Sequence, residues 1–199
     1  HLATAAGFRI LEQGGNAIDA GVATGIAINV VVADNTSFGG VAPIVIYDAE
    51  ADRVFTLSGL GRWPKSATLE HFLEDRGGDI PTGMERVIVP AAPDAWLTAL
   101  SDHGTMTLKQ VITPALELAR DGFPVSRGVG RRIAAAFEGF SDWPSTMEVF
   151  APEGRPIAAG ERMVRTDLSR TFERLIEAEC NAASEGREAA IRAARDLFY

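Results

Sequence analysis

The sequence contains a single cysteine, and this scarcity excludes two kinds of site at once. Cys180 alone cannot form an internal disulfide or a cysteine-based zinc site. The three histidines, His1, His71 and His103, show neither the H-x-x-x-H nor the H-E-x-x-H spacing of a zinc site on a helix. Cys180 stands beside the acidic stretch EAE, so we expect an exposed or lightly buried thiol rather than a nucleophile. The sequence therefore predicts no metal site.

The chain also lacks a basic stripe, a phosphate-binding motif and a long apolar run. Its formal net charge is −8, and its densest basic spot, made of Arg127, Arg131 and Arg132, is diluted by glycines. We therefore expect no nucleic-acid partner. No P-loop and no G-x-G-x-x-G motif is present. The most apolar run, residues 20–33, is shorter than the roughly 20 residues needed to cross a bilayer, so it predicts a buried helix and no membrane span.

The first part of the chain has the pattern of two helices separated by paired glycines. The first helix is predicted to begin at once and to end at Gly14 and Gly15, since glycine is a common helix terminator. Asn16 is a favourable N-cap for a second helix over residues 17–33, with Asp19 in its first turn where the helix dipole favours a negative charge. Because this second helix has almost no polar face, we expect it to be covered on most sides.

Two β-rich runs follow the second helix. VAPIVIYD (41–48) and RVFTL (53–57), joined by AEAD, predict an antiparallel hairpin, and Pro43 indicates that its first strand starts late or lies at an edge. ERVIVPAAP (85–93) predicts a short buried strand. The fold class indicated by these elements is mixed, with large buried helices against a sheet.

Four further helices are predicted, over residues 67–75, 93–102, 107–121 and 166–178. Pro114 is expected to break or kink the third of them. The last is expected to turn its apolar side chains inward: Leu168, Phe172, Leu175 and Ile176. Both ends of the chain look interrupted, so we expect a fragment or one processed piece of a longer polypeptide.

Five segments, in order, resemble the γ-glutamyltransferase family. AGFRILEQGGNAIDAGVATGIAINVV resembles its opening, and FGGVAPIVIYDAEADRVFTLSG its glycine-rich turn and first hairpin. VPAAPDAW, TLKQVITPALELARDGFPVS and VFAPEGRPIAAGERMVRTDLSRTFERL resemble three later stretches. Any one segment alone is a weak signal, but the collinear set covers nearly the whole chain.

The resemblance implies an α+β fold, specifically the four-layer αββα sandwich of N-terminal nucleophile hydrolases. Residues 1–199 would be the first part of the large subunit, a single domain completed by downstream sequence. Family members cleave their own precursor, and a threonine at the new N-terminus of the small subunit attacks an amide, activated by its own α-amine. The acyl group of the resulting acyl-enzyme is then transferred to water or to an amine acceptor. This chemistry implies no metal or organic cofactor.

By this resemblance the catalytic residues lie beyond Tyr199, and none is in this chain. Thr36, although it stands near glycines, matches the glycine turn rather than the cleavage site, so we expect a turn or capping role. Gly39–Gly40 is expected to serve backbone conformation near the site. Asp94 and Trp96 are expected to be structural, as an early-helix carboxylate and a core anchor.

The loop SGLGRWP carries the candidate substrate-binding residue. In γ-glutamyl-processing members this loop reads DGRE..P, and its arginine binds the α-carboxylate of the glutamyl group. In this chain Ser58 is at the position of that Asp, Leu60 at the position of that Arg and Pro64 at the position of the Pro. Arg62 lies two residues after the position of the family's arginine. The loop is closer to that of the oxamate amidohydrolase-like branch. Arg62 is expected to bind a substrate carboxylate, to pair with a structural carboxylate such as Asp94, or simply to cap the loop.

The sequence leads to two functional hypotheses. The leading one is an amidohydrolase or acyltransferase acting on a γ-glutamyl or related small carboxylate amide. The alternative is a non-catalytic family member that acts as a binding or structural module. The expected partners are a small-molecule amide substrate and the small subunit from the same precursor, with a homo-oligomer also open. The acidic chain with its single cysteine is suited to either a cytoplasmic or a periplasmic location.

Overall fold

The computed structural model describes residues 1–199 and shows an α+β chain that is mainly helical. The α-helices are α1 (Leu2–Glu12), α2 (Ala17–Val31), α3 (Ala92–His103), α4 (Leu108–Asp121), α5 (Arg127–Phe140), α6 (Pro144–Phe150), α7 (Thr166–Asn181) and α8 (Arg187–Phe198). The strands are β1 (Ile44–Asp48), β2 (Arg53–Leu57), β3 (Phe123–Pro124) and β4 (Arg162–Met163), in two separate antiparallel pairs, β1–β2 and β3–β4.

The chain divides into two compact units. The helical unit comprises residues 1–37 and 96–199, and the hairpin unit comprises residues 38–95. In the helical unit α2 packs against α1 and α4, and α7 packs against α4 and α8. The hairpin unit contains β1, β2, a five-residue π-helix (His71–Asp75) and a 3-10 turn (Met84–Arg86).

The start of α2 confirms the predicted cap. The side chain of Asn16 accepts hydrogen bonds from the backbone N–H groups of Ile18 and Asp19, and the Asp19 carboxylate accepts from the N–H of Asn16. This reciprocal arrangement is a capping box, and it satisfies backbone donors that a helix leaves unpaired at its N-terminus. The helix ends at Val31, two residues before the predicted boundary, and most of its residues are buried as expected.

Asp19 has a larger role than the dipole argument predicted. Its carboxylate is fully buried and accepts hydrogen bonds from Thr105 N (2.9 Å), Thr105 Oγ1 (2.7 Å) and Met106 N (3.1 Å). The Asn16 side-chain amide also donates to the carbonyl of His103 at 2.7 Å. The capping box of α2 therefore also holds the connection between α3 and α4. Burial acts to raise the pKa of Asp19, but these hydrogen bonds outweigh it and leave the pKa below its ordinary value.

A second buried carboxylate holds the start of α4. Glu179 of α7 accepts from the backbone N–H groups of Leu108 (2.5 Å) and Lys109 (2.7 Å), while Thr107 and Gln110 form a capping box on the same turn. Burial raises the pKa of Glu179, and the two N–H donors only partly oppose that rise. Both carboxylates thus fix helix ends through backbone donors.

Two helix predictions were only partly right. Helix α4 continues through Pro114, so of the two predicted effects the break is wrong and the kink stays a prediction. In α7 Phe172 and Leu175 are fully buried as predicted, whereas Leu168 and Ile176 are only half-buried, and the exposure of Cys180 is confirmed. The buried stripe of α7 consists of Ser169, Phe172, Leu175 and Glu179, and Leu168 and Ile176 lie beside it.

Other local predictions were wrong. Residues 85–93 do not form a buried strand, and Val87 and Val89 are about half exposed. The helix expected over 67–75 is reduced to a short helical segment that is mostly π-helix. Helices α5 and α6 were missed, because interior glycines weaken the local helix signal of α5 and α6 is only 7 residues long.

The β1–β2 hairpin is confirmed, with Ile44 opposite Leu57 and Asp48 opposite Arg53. Its first strand starts directly after Pro43, as expected for a residue without a backbone N–H. Ile46 is buried, whereas Val45, Tyr47 and Val54, among others on the hairpin, are largely exposed. The hairpin therefore has one covered face and one apolar face open to solvent.

We predict that Asp19→Asn lowers the free energy of unfolding by about 3 kcal/mol, because the carboxamide turns an N–H₂ group toward buried donors. Since the folded-state pKa of Asp19 lies below its unfolded value of about 4, its contribution is complete above about pH 4 and is lost as pH falls through the folded pKa. Urea unfolding of the wild type and variant from pH 7 to pH 2 measures both effects.

The matched control is Asp167→Asn. Asp167 also lies in the first turn of its helix but is exposed, and it pairs only with exposed Arg170. The control should cost less than about 1 kcal/mol. Equal losses in the two variants, or a wild-type advantage over Asp19→Asn that does not shrink at low pH, would contradict the role assigned to Asp19.

Candidate functional site

The loop after β2 is shaped by two glycines that no other residue can replace without strain. Gly59 and Gly61 have φ values of +54° and +75°, in the left-handed region that favours glycine. A Cβ added at Gly59 would lie 2.0 Å from the carbonyl oxygen of Ala42, and one at Gly61 would lie 2.4 Å from the carbonyl oxygen of Val89. The glycines therefore allow the loop to run against two other segments of the hairpin unit.

Backbone hydrogen bonds fix the loop in that position. Ala42 N donates to Gly59 O (2.9 Å), and Val89 N donates to Arg62 O (2.8 Å). The N–H groups of Ala91 and Ala92 both donate to the carbonyl of Gly40, at 2.9 and 3.0 Å. We call the three segments joined in this way, residues 39–42, 58–62 and 89–92, the loop frame. The frame brings the predicted glycine pair and Arg62 into one hydrogen-bonded network.

The frame also explains why residues 85–93 resemble a strand in sequence. Val87 has an extended backbone, and Val89 N donates a hydrogen bond, but to the Arg62 carbonyl in the glycine-rich loop rather than to a strand ladder. The conformational role expected of Gly39 and Gly40 stays a prediction. The carbonyl of Gly40 is a double acceptor at the start of α3.

Arg62 holds its backbone in the frame and leaves its side chain exposed. The guanidinium makes neither a hydrogen bond nor an ion pair, so it does not pair with Asp94. Asp94 lies half-buried in the first turn of α3. The five N–H donors of Arg62 are thus available to a ligand, and a guanidinium is suited to bidentate binding of a carboxylate.

Leu60 and Trp63 flank this arginine with apolar side chains. Leu60 is 56% exposed, and Trp63 is 45% exposed. The Trp63 ring meets the ring of buried Phe72 edge to face, with centroids 5.3 Å apart. This aromatic contact anchors the far end of the loop to the π-helix. The sequence analysis did not predict this contact.

A charged cluster next to that contact was not predicted. His71 Nδ1 lies 2.9 Å from Asp75 Oδ2, and His71 Nε2 lies 3.6 Å from Glu85 Oε1. Arg76 binds the Glu85 carboxylate at 2.5 Å, and this hydrogen bond holds the pKa of Glu85 below its ordinary value. The cluster joins the π-helix to the 3-10 turn, so its charges serve the packing of the hairpin unit.

Two other predicted residues lie in the helical unit. The Thr36 hydroxyl donates to the carbonyls of Ile28 (3.0 Å) and Val32 (3.3 Å), which confirms its capping role at the end of α2. Trp96 is half-buried, and its Nε1 donates to Asn29 Oδ1 at 3.3 Å. A Cβ added at Gly25 would lie 2.4 Å from the Trp96 ring, so Trp96 packs closely on α2 as an anchor.

The titratable side chains form no group of three or more His, Cys, Asp or Glu residues placed to hold a metal ion. None of the helices combines the length and the apolar character that crossing a membrane requires. The loop after β2 presents one exposed arginine, and the exposed side chains of Leu60 and Trp63 are close to it in sequence.

Comparison with known proteins decides the family. The family model of gamma-glutamyltranspeptidase matches residues 3–193. The chain belongs to the gamma-glutamyltranspeptidase family. Glutathione hydrolase proenzyme of Bacillus subtilis (strain 168) is 33% identical over 192 residues, covering 94% of this chain and 32% of that protein. Acylase ACY 1 proenzyme of Pseudomonas sp. (strain SE83) is 33% identical over 190 residues, covering 89% and 33%.

The fold comparison agrees with the sequence comparison. The crystal structure of Helicobacter pylori gamma-glutamyltranspeptidase superimposes with a TM-score of 0.82 at 32% identity, covering 87% of this chain and 51% of that one. The chain spans about a third of the length of the curated relatives it matches. The family resemblance predicted from the sequence is thus confirmed.

We predict that Gly59→Ala disrupts the loop frame of this gamma-glutamyltranspeptidase-family chain, because the new methyl group would overlap the Ala42 carbonyl. Protection of the Ala42 N–H against hydrogen exchange should fall by at least about tenfold, corresponding to about 1.4 kcal/mol of local opening.

Gly77→Ala is the matched control, since Gly77 has a similar φ of +62° but no atom within 4 Å of the added Cβ. It should cost only the left-handed strain of about 1–2 kcal/mol and leave Ala42 protection unchanged. Unchanged protection in Gly59→Ala would show that the close approach does not hold the loop.

Proposed function

We propose that this protein is an amide-cleaving hydrolase or acyltransferase of the gamma-glutamyltranspeptidase type. The observation that carries the proposal is the collinear family match over residues 3–193, together with relatives that are named as a hydrolase and an acylase. The nucleophile is an N-terminal threonine of a small subunit made from the same precursor, outside these 199 residues. Its hydroxyl attacks the amide carbonyl while its own α-amine takes the hydroxyl proton and gives it to the leaving amine as the C–N bond breaks. Water or an acceptor amine then attacks the acyl ester, which releases the acyl product and restores the threonine hydroxyl.

The four-layer αββα sandwich is part of the same proposal, with this chain as its first portion. A two-stranded hairpin is marginal by itself in water. The exposed apolar face of β1–β2, with Val45, Tyr47 and Val54, is suited to packing by further strands of the same polypeptide. A single domain completed by downstream sequence supplies those strands and covers that face.

Arg62 is proposed to bind a carboxylate of the substrate. Its side chain is exposed and has no partner, while its backbone is fixed in the loop frame by the 2.8 Å hydrogen bond from Val89. A rigid backbone lowers the cost of ordering the loop on binding, and the free guanidinium supplies a bidentate, charge-assisted contact. The chain thus contributes substrate positioning, and the small subunit contributes the bond-breaking group.

The acyl group of the substrate is either γ-glutamyl or another small acyl group that carries a carboxylate. Leu60 occupies the position of the family's glutamate-binding arginine, which moves the positive charge two residues along the loop. The apolar surface of Leu60 and Trp63 around Arg62 favours an acyl group with less polar character than glutamyl. The acylase relative makes such a substrate consistent with the family.

The non-catalytic alternative has no support in the comparisons, since the relatives are named as hydrolase and acylase proenzymes. Precursor processing provides the direct test. We expect intact mass spectrometry of the purified full-length protein to show two subunits, and N-terminal sequencing of the smaller one to begin at threonine. A single uncleaved polypeptide with no amidase activity would contradict the enzyme proposal.

We predict that Arg62→Ala in the processed enzyme raises KM for a carboxylate-bearing anilide by about 10- to 100-fold, the loss expected for a charged hydrogen bond of roughly 1.5–3 kcal/mol. Turnover of an anilide that lacks the carboxylate should change little. Comparing γ-glutamyl anilide with glutaryl anilide, which lacks the amino group, shows which acyl group the site prefers.

Lys65→Ala is the matched control, an exposed cation three positions along the same segment. It should leave KM within about twofold for both substrates. Equal effects of the two substitutions, or an equal loss with and without the substrate carboxylate, would remove Arg62 from the binding site while leaving the amidase proposal intact.

A further inference from the structure

The basic spot of the sequence borders a groove that the proposed amide chemistry does not use. Arg127 and Arg131 lie one helical turn apart on α5, and both are exposed. Neighbouring Arg132 forms an ion pair with Asp34. Arg127 and Arg131 make no such pair and donate no side-chain hydrogen bond. Two uncompensated cations therefore face solvent on a chain whose net charge is −8.

The groove lies between α5 and the segment 156–159, and its volume is about 550 Å³. Gly130 allows the two walls to approach, since a Cβ added there would lie 3.0 Å from Ala159 N. Ala134 continues the helix wall beyond Arg131, and buried Ile157 belongs to the opposite wall. The groove thus combines a positive strip with an apolar lining, a combination common in small-molecule sites.

The opposite wall is held rigid by its own ion pairs. Arg155 binds Glu161 at 2.7 and 2.9 Å and Glu153 at 2.8 Å, and Ala158 N donates to Glu161 at 2.6 Å. The bonds from Arg155, aided by that from Ala158, hold the pKa of Glu161 at about 2, so its carboxylate stays ionised and paired. Glu153 and Glu161 are therefore engaged with Arg155, Asp34 is engaged with Arg132, and no acidic residue lines the groove.

We propose that this groove binds a small organic dianion, with two carboxylates separated by an apolar spacer. Residues four apart on a helix have Cβ atoms about 5–6 Å apart, so a ligand with anionic groups at a similar spacing can contact both arginines at once. The apolar spacer then lies against Ala134 and Ile157. An acidic protein or nucleic acid is disfavoured, because the strongly acidic chain repels a large anion while a small one meets only the local charge.

The test is calorimetric titration of the purified full-length protein with adipate, at low ionic strength, alongside the monoanion hexanoate. Adipate should bind at least tenfold more tightly than hexanoate. Arg127→Ala and Arg131→Ala should each weaken adipate binding at least tenfold, and Ala134→Glu, which adds a carboxylate to the groove, should abolish it without lowering the unfolding temperature. Arg192→Ala, at an exposed arginine of α8, should have no effect.

Two results would overturn the proposal. One is no adipate binding by the wild type, or equal affinity for adipate and hexanoate. The other is adipate binding that survives both α5 substitutions and is lost in Arg62→Ala, which would place the dianion at the substrate loop. Because the groove residues are separate from Arg62, amidase activity of the α5 variants reports independently on the proposed function.

Discussion

The buried carboxylate of Asp19 is the interaction on which the helical unit depends. A charge in an apolar interior is tolerated only when donors surround it, and here the donors are backbone and side-chain groups of Asn16, Thr105 and Met106. Those bonds tie the start of α2 to the connection between α3 and α4. The buried carboxylate of Glu179 likewise accepts hydrogen bonds from backbone N–H groups at the start of α4. The unpaired backbone N–H groups at these helix N-termini and the buried carboxylates of Asp19 and Glu179 therefore satisfy each other's hydrogen bonds.

In the hairpin unit, backbone contacts hold the loop after β2 in place while the side chain of Arg62 stays exposed. Gly59 and Gly61, which have positive φ, let the loop backbone lie against neighbouring carbonyls. Hydrogen bonds donated by the N–H groups of Ala42 and Val89 hold it in that position. The Trp63–Phe72 contact secures the far end. The guanidinium of Arg62 can then remain unpaired, because the rest of its residue is already fixed.

Much of the architecture was predictable because it follows from local physics. The Asn16 cap, the hairpin after Pro43 and the buried faces of α2 and α7 each result from short-range patterns of capping, proline geometry and periodicity. The missed elements share one cause. In α5 interior glycines weaken the helix signal, and in 85–93 β-branched residues imitate a strand. Packing made α5 a helix despite its glycines, and loop hydrogen bonds kept residues 85–93 out of a strand despite their β-branched residues.

The sequence by itself determined the family, the order of the main helices and the presence of an arginine in the glycine loop after β2, since these depend on residue identity and spacing. Only the tertiary structure decided that Asp19 is a buried acceptor, that Arg62 has no carboxylate partner, and that Arg127 and Arg131 border a groove. The reason is physical: each of these properties depends on residues distant in the chain. Thr105 lies 86 positions from Asp19, and Val89 fixes the backbone of Arg62 from a separate segment.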